Sequence, residues 1–295
     1  MKYIDLFDRI LAMNYTVKEE AKLLDILSEL YPDSSKRTLR NMLKARRVRV
    51  GGSVVEKADT ILSAGQELAV GRVTREICKG VILLYEDQDI LAVNKSEGLL
   101  SVPLDDGDEE SLLEILREHY KSPQIYPLHR LDRGTSGVMV FAKGKRCTNK
   151  LEKMFREHNI QRECVAVVAG NVKEDSGTWE SNLVERKDHL VSSTTEPEEG
   201  RPSITHYTVV RRSKNFSYLR IRPETGRKHQ IRVHTQEVGH PIVGDTRYGS
   251  ESCNPISRMA LHVSMISFKH PVSGNEMCFT AYLPGSFVRL GFPRS

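Results

Sequence analysis

The sequence predicts an α+β protein, a small amino-terminal α/β domain followed by a larger body built mainly of strands. In the body, short apolar runs and period-two alternation outnumber helical patterns. In the amino-terminal quarter, Ser35 to Val50 carries Lys36, Arg37, Arg40, Lys44, Arg46, Arg47 and Arg49 with no acidic residue, which marks a segment of different purpose. The chain of 295 residues is long enough for one large core plus such an accessory domain.

The small domain is expected over residues 1–75, after a short amino-terminal extension. Its first helix contains Leu24-Asp25-Ile26-Leu27, and its second starts from a cap at Ser34 or Ser35. On that second helix Lys36, Arg40, Lys44 and Arg47 recur every three or four residues and form a cationic face, while Leu39, Met42 and Leu43 form an apolar one. Such a helix can dock and bind at once. Val48 to Val50, Gly51-Gly52 and Ser53 to Val55 have hairpin chemistry, and Ala64 to Leu68 leads into a closing strand. Residues 71–80 read as a linker, and the second domain is expected over 80–290.

Within the second domain, Tyr85 to Pro103 reads as a strand, a turn and a further approach to one site. Val138 to Ala142, Val165 to Ala169, Ile204 to Val210 and Tyr218 to Arg222 read as strands, and Cys147 to His158 as a helix. Leu104 to Glu110 and Glu185 to Pro202 have loop composition. In Gln230-Ile231-Arg232-Val233-His234, alternation predicts a strand with Ile231 and Val233 on one face and Gln230, Arg232 and His234 on the other.

The chemistry points to His129-Arg130-Leu131-Asp132-Arg133-Gly134-Thr135-Ser136-Gly137. Here one carboxylate stands between two cations at the mouth of an apolar strand, and those cations favour the ionised form a nucleophile or base requires. Asp132 is therefore the candidate reactive group. A net charge of +5 and a pI near 8.9 fit a polyanionic partner. Met1 to Asp5 lacks a secretory pattern, and no apolar run approaches the length needed to span a bilayer, so a cytoplasmic protein is expected. Cys78, Cys147, Cys164, Cys253 and Cys278 form no CxxC pair and read as reduced thiols. His229, His234 and His240 do not have the spacing of a metal site, so no metal is expected.

Three segments together resemble the RluA family of RNA pseudouridine synthases. They are the HRLD stretch with its strand, Tyr85 to Pro103, and Arg222 to His234 with Gly239 to Gly249 shortly after it. The resemblance covers roughly residues 81–285 and implies a mixed, mainly antiparallel catalytic sheet. It makes Asp132 the catalytic aspartate, Arg232 of the HQIR motif its ion-pair partner, and Arg130 the residue that fills the stack vacated by an extruded uridine. His129, Cys164, Arg227, His229, Gln230 and Leu261 stand at further positions implied to contact substrate RNA. The amino-terminal domain resembles the RNA-binding domain named after ribosomal protein S4, with Lys36, Arg37, Arg40, Lys44 and Arg47 as phosphate contacts. A monomer acting on RNA without cofactor, metal, membrane or obligate protein partner is expected, with large-subunit ribosomal RNA as substrate.

One departure stands out. The family pattern K-x-Y-x-A-x-V places a tyrosine beside the target base, but this chain reads Arg162-Glu163-Cys164-Val165-Ala166-Val167. Cysteine offers less stacking surface. Two alternatives follow from the sequence, a catalytically silent RNA-binding protein that keeps the fold and a transfer-RNA pseudouridine synthase. Direct attack by Asp132 on the sugar and a glycal route both remain open, and both need its charge.

Overall fold

A computed structural model describes residues 13–292 apart from 33, 45–46, 52, 71–74, 105–108, 158, 197 and 250–254. The readings at Met1 to Asp5, Arg46, Gly52, 71–74, Asp105 to Asp108, His158, Pro197 and Cys253 lie outside the described residues. The chain divides into two compact units between Arg75 and Glu76.

In the first unit, β1 (Met13–Thr16), β6 (Glu67–Val70), β3 (Val48–Val50) and β4 (Ser53–Val54) form one sheet in that order. β2 (Ala21–Lys22) pairs with β5 (Ile61–Leu62). α1 (Leu23–Leu30) and α2 (Lys36–Lys44) bury Leu23, Ile26, Leu27, Leu39, Met42 and Leu43 in one core with Val48, Leu68 and Val70. The helix, basic helix and hairpin thus occur in the expected order. Ser35 supplies the cap, its hydroxyl accepting from the Thr38 amide. Lys36, Arg37, Arg40 and Lys44 are exposed, whereas Arg47 is half-buried beyond the helix end.

The second unit is organised by a twelve-stranded sheet. Along its path lie β14 (Val191–Thr194), β13 (Ser176–Glu185), β15 (Arg201–Arg212), β16 (Phe216–Pro223), β12 (Gln161–Ala169), β17 (Leu261–Lys269), β11 (Ser136–Lys143), β9 (Ile90–Lys95), β8 (Val81–Glu86) and β7 (Arg75–Cys78). β10 (Ile125–Pro127) pairs with β11, and β18 (Glu276–Thr280) with β17. α3 (Leu112–His119) begins in a capping box of Ser111 and Glu114, α4 (Lys145–Arg156) follows β11, α5 (Gln230–Glu237) follows β16, and α6 (Gly285–Arg289) closes the unit. β11 and β12 are buried almost throughout, which is why they read as unbroken apolar runs.

β11 and β17 meet in parallel over only Ser136↔His262 and Gly137↔Val263. At Gly137, φ is +123°, and an added Cβ would stand 2.2 Å from the Val263 carbonyl oxygen. Only glycine fits there. Beside this contact Arg258 Nη2 donates to Ser136 Oγ at 2.8 Å, and that hydroxyl lies 2.8 Å from His262 Nδ1. Burial pulls His262 down to about 4, so the ring stays neutral and accepts.

Three expectations are corrected. The linker reading fails at its end, because Arg75–Cys78 is an edge strand. Val191–Thr194 is a strand inside the segment read as loop, since its backbone pairs with β13 whatever its polar side chains suggest. Most consequentially, Gln230 to His234 is the first part of a helix. Five residues cannot separate a period of two from one of 3.6, and the polar members are buried by hydrogen bonding that hydropathy does not register.

Candidate active site

The loop between β10 and β11 presents Asp132. It is tied down by the turn after β9: Ser101 Oγ donates to Leu131 O at 2.7 Å and accepts from its amide at 3.0 Å, and Gly98 N donates to Arg133 O at 2.8 Å. The fully buried Lys95 adds donations from Nζ to Ser96 O, Leu99 O and Arg133 O. Burial pulls this ammonium down to about 7, partly opposed by Asp132 and Glu97. The upstream segment therefore does reach the site, as read, and it does so through backbone carbonyls.

From α5, Arg232 donates through Nη1 to Asp132 Oδ2 at 2.8 Å. Its other side grips Asp245, with Nε to Oδ2 at 2.7 Å and Nη2 to Oδ1 at 2.9 Å, a two-bond fork. Asp245 also accepts from the amides of Arg247 and Tyr248. Burial alone would raise the Asp245 carboxyl, but the bonds from Arg232 outweigh it and hold it below its ordinary range. Burial likewise opposes charge on Arg232, and the two carboxylates reverse this and raise its pKa. Three charge-assisted bonds to two carboxylates hold the guanidinium in place. Asp132 lines the cavity, its Oδ2 is anchored by Arg232, and among the described residues its Oδ1 has no hydrogen-bond partner.

His229, at a left-handed φ of +55°, begins α5 and lies 3.8 Å from Asp132 Oδ2 through Nε2. Burial lowers it to about 4, with Asp132 opposing and Arg232 adding to the shift, so it is neutral near pH 7. Tyr248 accepts from the Val191 amide, lies 2.8 Å from His229 Nδ1, and spreads its ring beneath the Arg232 guanidinium at 4.8 Å.

One cavity collects all nine site residues expected of this unit, His129, Arg130, Asp132, Cys164, Arg227, His229, Gln230, Arg232 and Leu261, with Arg162, Gly226 and Val263 among their neighbours. Their environments differ. Arg130 and Arg227 are exposed, and Arg227 donates to Pro202 O. Gln230 is buried and spends its amide on Thr225, the Arg227 amide, Ile204 O and Thr205, leaving no polar valence for RNA. The expected RNA contact is thus restricted to its edge, and its polar atoms brace the loop. His129 accepts from the Val140 amide and stacks on Phe155, while burial lowers it to about 3 and keeps it neutral.

Sequence reasoning assigned no role to Asp245, Tyr248 or Lys95. Asp245 and Tyr248 lay inside a quoted motif, and an acidic residue thirteen positions beyond Arg232 was the available signal. Lys95 too lay inside a quoted segment, Tyr85 to Pro103, but a lysine at a strand end is ordinarily solvated, so its type pointed to no role.

The family model for RNA pseudouridylate synthases matches residues 89–237, and that for the S4 domain matches 22–68. A ribosomal large subunit pseudouridine synthase D of Pasteurella multocida is 32% identical over 292 residues, spanning 91% of this chain and 90% of its own length. The chain belongs to the RNA pseudouridylate synthase family. The protein of the same description from Escherichia coli K12 is 30% identical, with 91% and 89% covered. Among solved structures, human RNA pseudouridylate synthase domain containing 1 is 26% identical, with a TM-score of 0.59 over 72% of this chain and 88% of that one. As a member, the protein is an RNA pseudouridine synthase, an isomerase with a mixed, mainly antiparallel sheet and an S4 RNA-binding domain. None of its described helices is long and apolar enough to cross a membrane.

In this synthase Cys164 is buried, and burial pushes its thiol up to about 12. A thiol that is not ionised is a poor nucleophile. Cys164→Ala is therefore expected to keep single-turnover activity within about threefold of the parent, the scale of a small packing change. A collapse of the rate with the melting temperature unchanged would show that sulfur takes part.

Proposed function

We propose that this synthase converts uridine to pseudouridine in large-subunit ribosomal RNA, with Asp132 acting on the sugar and Arg232, paired with it, holding it oriented. The observation that carries this is the asymmetric carboxylate of a cavity-lining residue, anchored at Oδ2 by Arg232 and, among the described residues, without a hydrogen-bond partner at Oδ1. A base stacked in RNA must be extruded to reach it. Arg130 suits the vacated stack, being exposed at the rim with a planar guanidinium that can both stack and donate. Substrate and product are isomers, so the reaction calls for no net redox change. The ribosomal substrate is drawn from the names borne by the curated relatives. It would put the protein's work in the cytoplasm, as a monomer.

The test is a comparison of pseudouridine maps of total RNA from cells with and without the gene. Loss of one or more sites in large-subunit ribosomal RNA is expected, and loss confined to transfer RNA would overturn the substrate. The S4 domain makes a separate contribution. Changing Lys36, Arg40 and Lys44 together to Gln is expected to weaken RNA binding and reduce the slope of log affinity against log salt by about 2 to 3, one phosphate contact per cation. An unchanged slope would mean that the α2 face is merely solvated.

A further inference from the structure

Arg162 lies on β12 two residues before Cys164, and both side chains line the cavity that holds Asp132. Its guanidinium is tethered by one neutral bond, Nη2 to Thr225 O at 3.0 Å. Among the described residues no carboxylate lies within ion-pair distance of it. Glu163, next in sequence, points to the opposite face of the sheet and is occupied by Arg220 and Arg222. His129, close enough to feel the charge of Arg162, is neutral. A half-buried cation without a counter-charge is costly in a folded protein unless something else supplies the negative charge. The backbone makes room for it: a Cβ on Gly226 would lie 2.8 Å from Nη1. Cys164 is small and uncharged, so no ring stands between the guanidinium and a base in the cavity.

The reaction produces the missing charge. When the C1′–N1 bond breaks, its electron pair departs with the base, while C1′ is taken by Asp132 Oδ1 or the C2′ proton passes to Asp132. In either route uracil is momentarily an anion, its charge spread over N1, O2 and O4. C5 then joins C1′ as Asp132 leaves C1′ or returns the C2′ proton, and the proton lost from C5 is matched by one taken up at N1, so that product and substrate are isomers. We propose that Arg162 is a further catalytic residue, whose guanidinium donates to a carbonyl oxygen of uracil and holds the detached base as an anion until C5 is in place. The inference rests on the assignment of Asp132 above. A fixed donor aimed at developing charge in a site shielded from water is worth most in the transition state and little in ground-state binding.

The experiment compares the parent with Arg162→Met, Arg162→Lys and Gly226→Ala in single-turnover assays. Substrates are the mapped RNA with uridine or with 5-fluorouridine at the target, the latter releasing a better stabilised anion. Arg162→Met is expected to slow uridine conversion about 100-fold, as loss of one such donor does, with RNA affinity held within about twofold. Arg162→Lys should recover most of the rate. Gly226→Ala should slow the reaction by displacing the guanidinium while sparing stability. The decisive arm is 5-fluorouridine, on which scission of the N-glycosidic bond by Arg162→Met should lag the parent by less than about tenfold. Equal defects on the two RNAs, a loss confined to affinity, or no loss would overturn the role of Arg162. A parent that converts no uridine in any mapped RNA would instead overturn the functional reading beneath it.

Discussion

Asp132→Asn is expected to abolish turnover, by about 10⁴-fold or more in single-turnover rate, while RNA affinity is unchanged. The substitution keeps the shape of the side chain, and its amide oxygen can still accept from Arg232. It removes the charge that both open routes require. RNA binding is expected to survive, because α2 is untouched. Measured turnover within about tenfold of the parent would exclude Asp132 from the chemistry under either mechanism.

Arg232→Met is expected to be as damaging to activity and, unlike the first change, to damage the fold. Asp245 has a side chain only 1% exposed and draws both bonds of its fork from Arg232. Removing one partner of a buried pair leaves an uncompensated charge, which costs about 3–5 kcal/mol. The folded Asp245 carboxyl lies below its unfolded pKa, so the pair's contribution is present above the unfolded value and is lost as pH falls through the folded one. The variant should therefore lose most stability at neutral pH and converge on the parent in acid. Adding Asp245→Asn separates the two effects. It removes the stranded charge while its carbonyl can still accept from the Arg247 and Tyr248 amides, so stability should partly return and activity should not. Recovery of activity in the double variant would show that Arg232 serves only the fold.

The residues of the cavity were legible in the sequence wherever polar side chains cluster in long motifs, as around Asp132 and Arg232. Their supports were less so. Arg232 was expected on a strand because Ile231 and Val233 alternate with polar residues, yet it lies on a helix whose polar positions are buried among partners 25 or more residues away, Ile204 and Thr205 for Gln230 and Ser181 for His234. Such partners leave no trace in local periodicity. β14 was missed for a related reason: Ser192, Ser193 and Thr194 look like loop, and only pairing with β13 makes them a strand. Asp245 takes its fork from Arg232, thirteen residues back, and Lys95 spends its ammonium on the carbonyls of Ser96, Leu99 and Arg133, bonds that follow from the turn of the backbone and not from composition. Cys164 was readable as a departure, but its effect on its neighbour Arg162 required seeing that Glu163 turns away.

The narrow parallel contact of β11 with β17 also bears on when the enzyme comes into being. Ser136 and His262, paired across it, are separated by 126 residues, and Leu261 and Val263 of β17 wall the cavity beside Asp132. A contact closed over so long a span forms late, because its loop entropy is spent before any pairing rewards it. During synthesis the chain emerges amino terminus first. The S4 domain, complete by Val70, is thus available to grip RNA while the wall of the cavity is still within the ribosome. A nascent chain can hold RNA well before it can modify it.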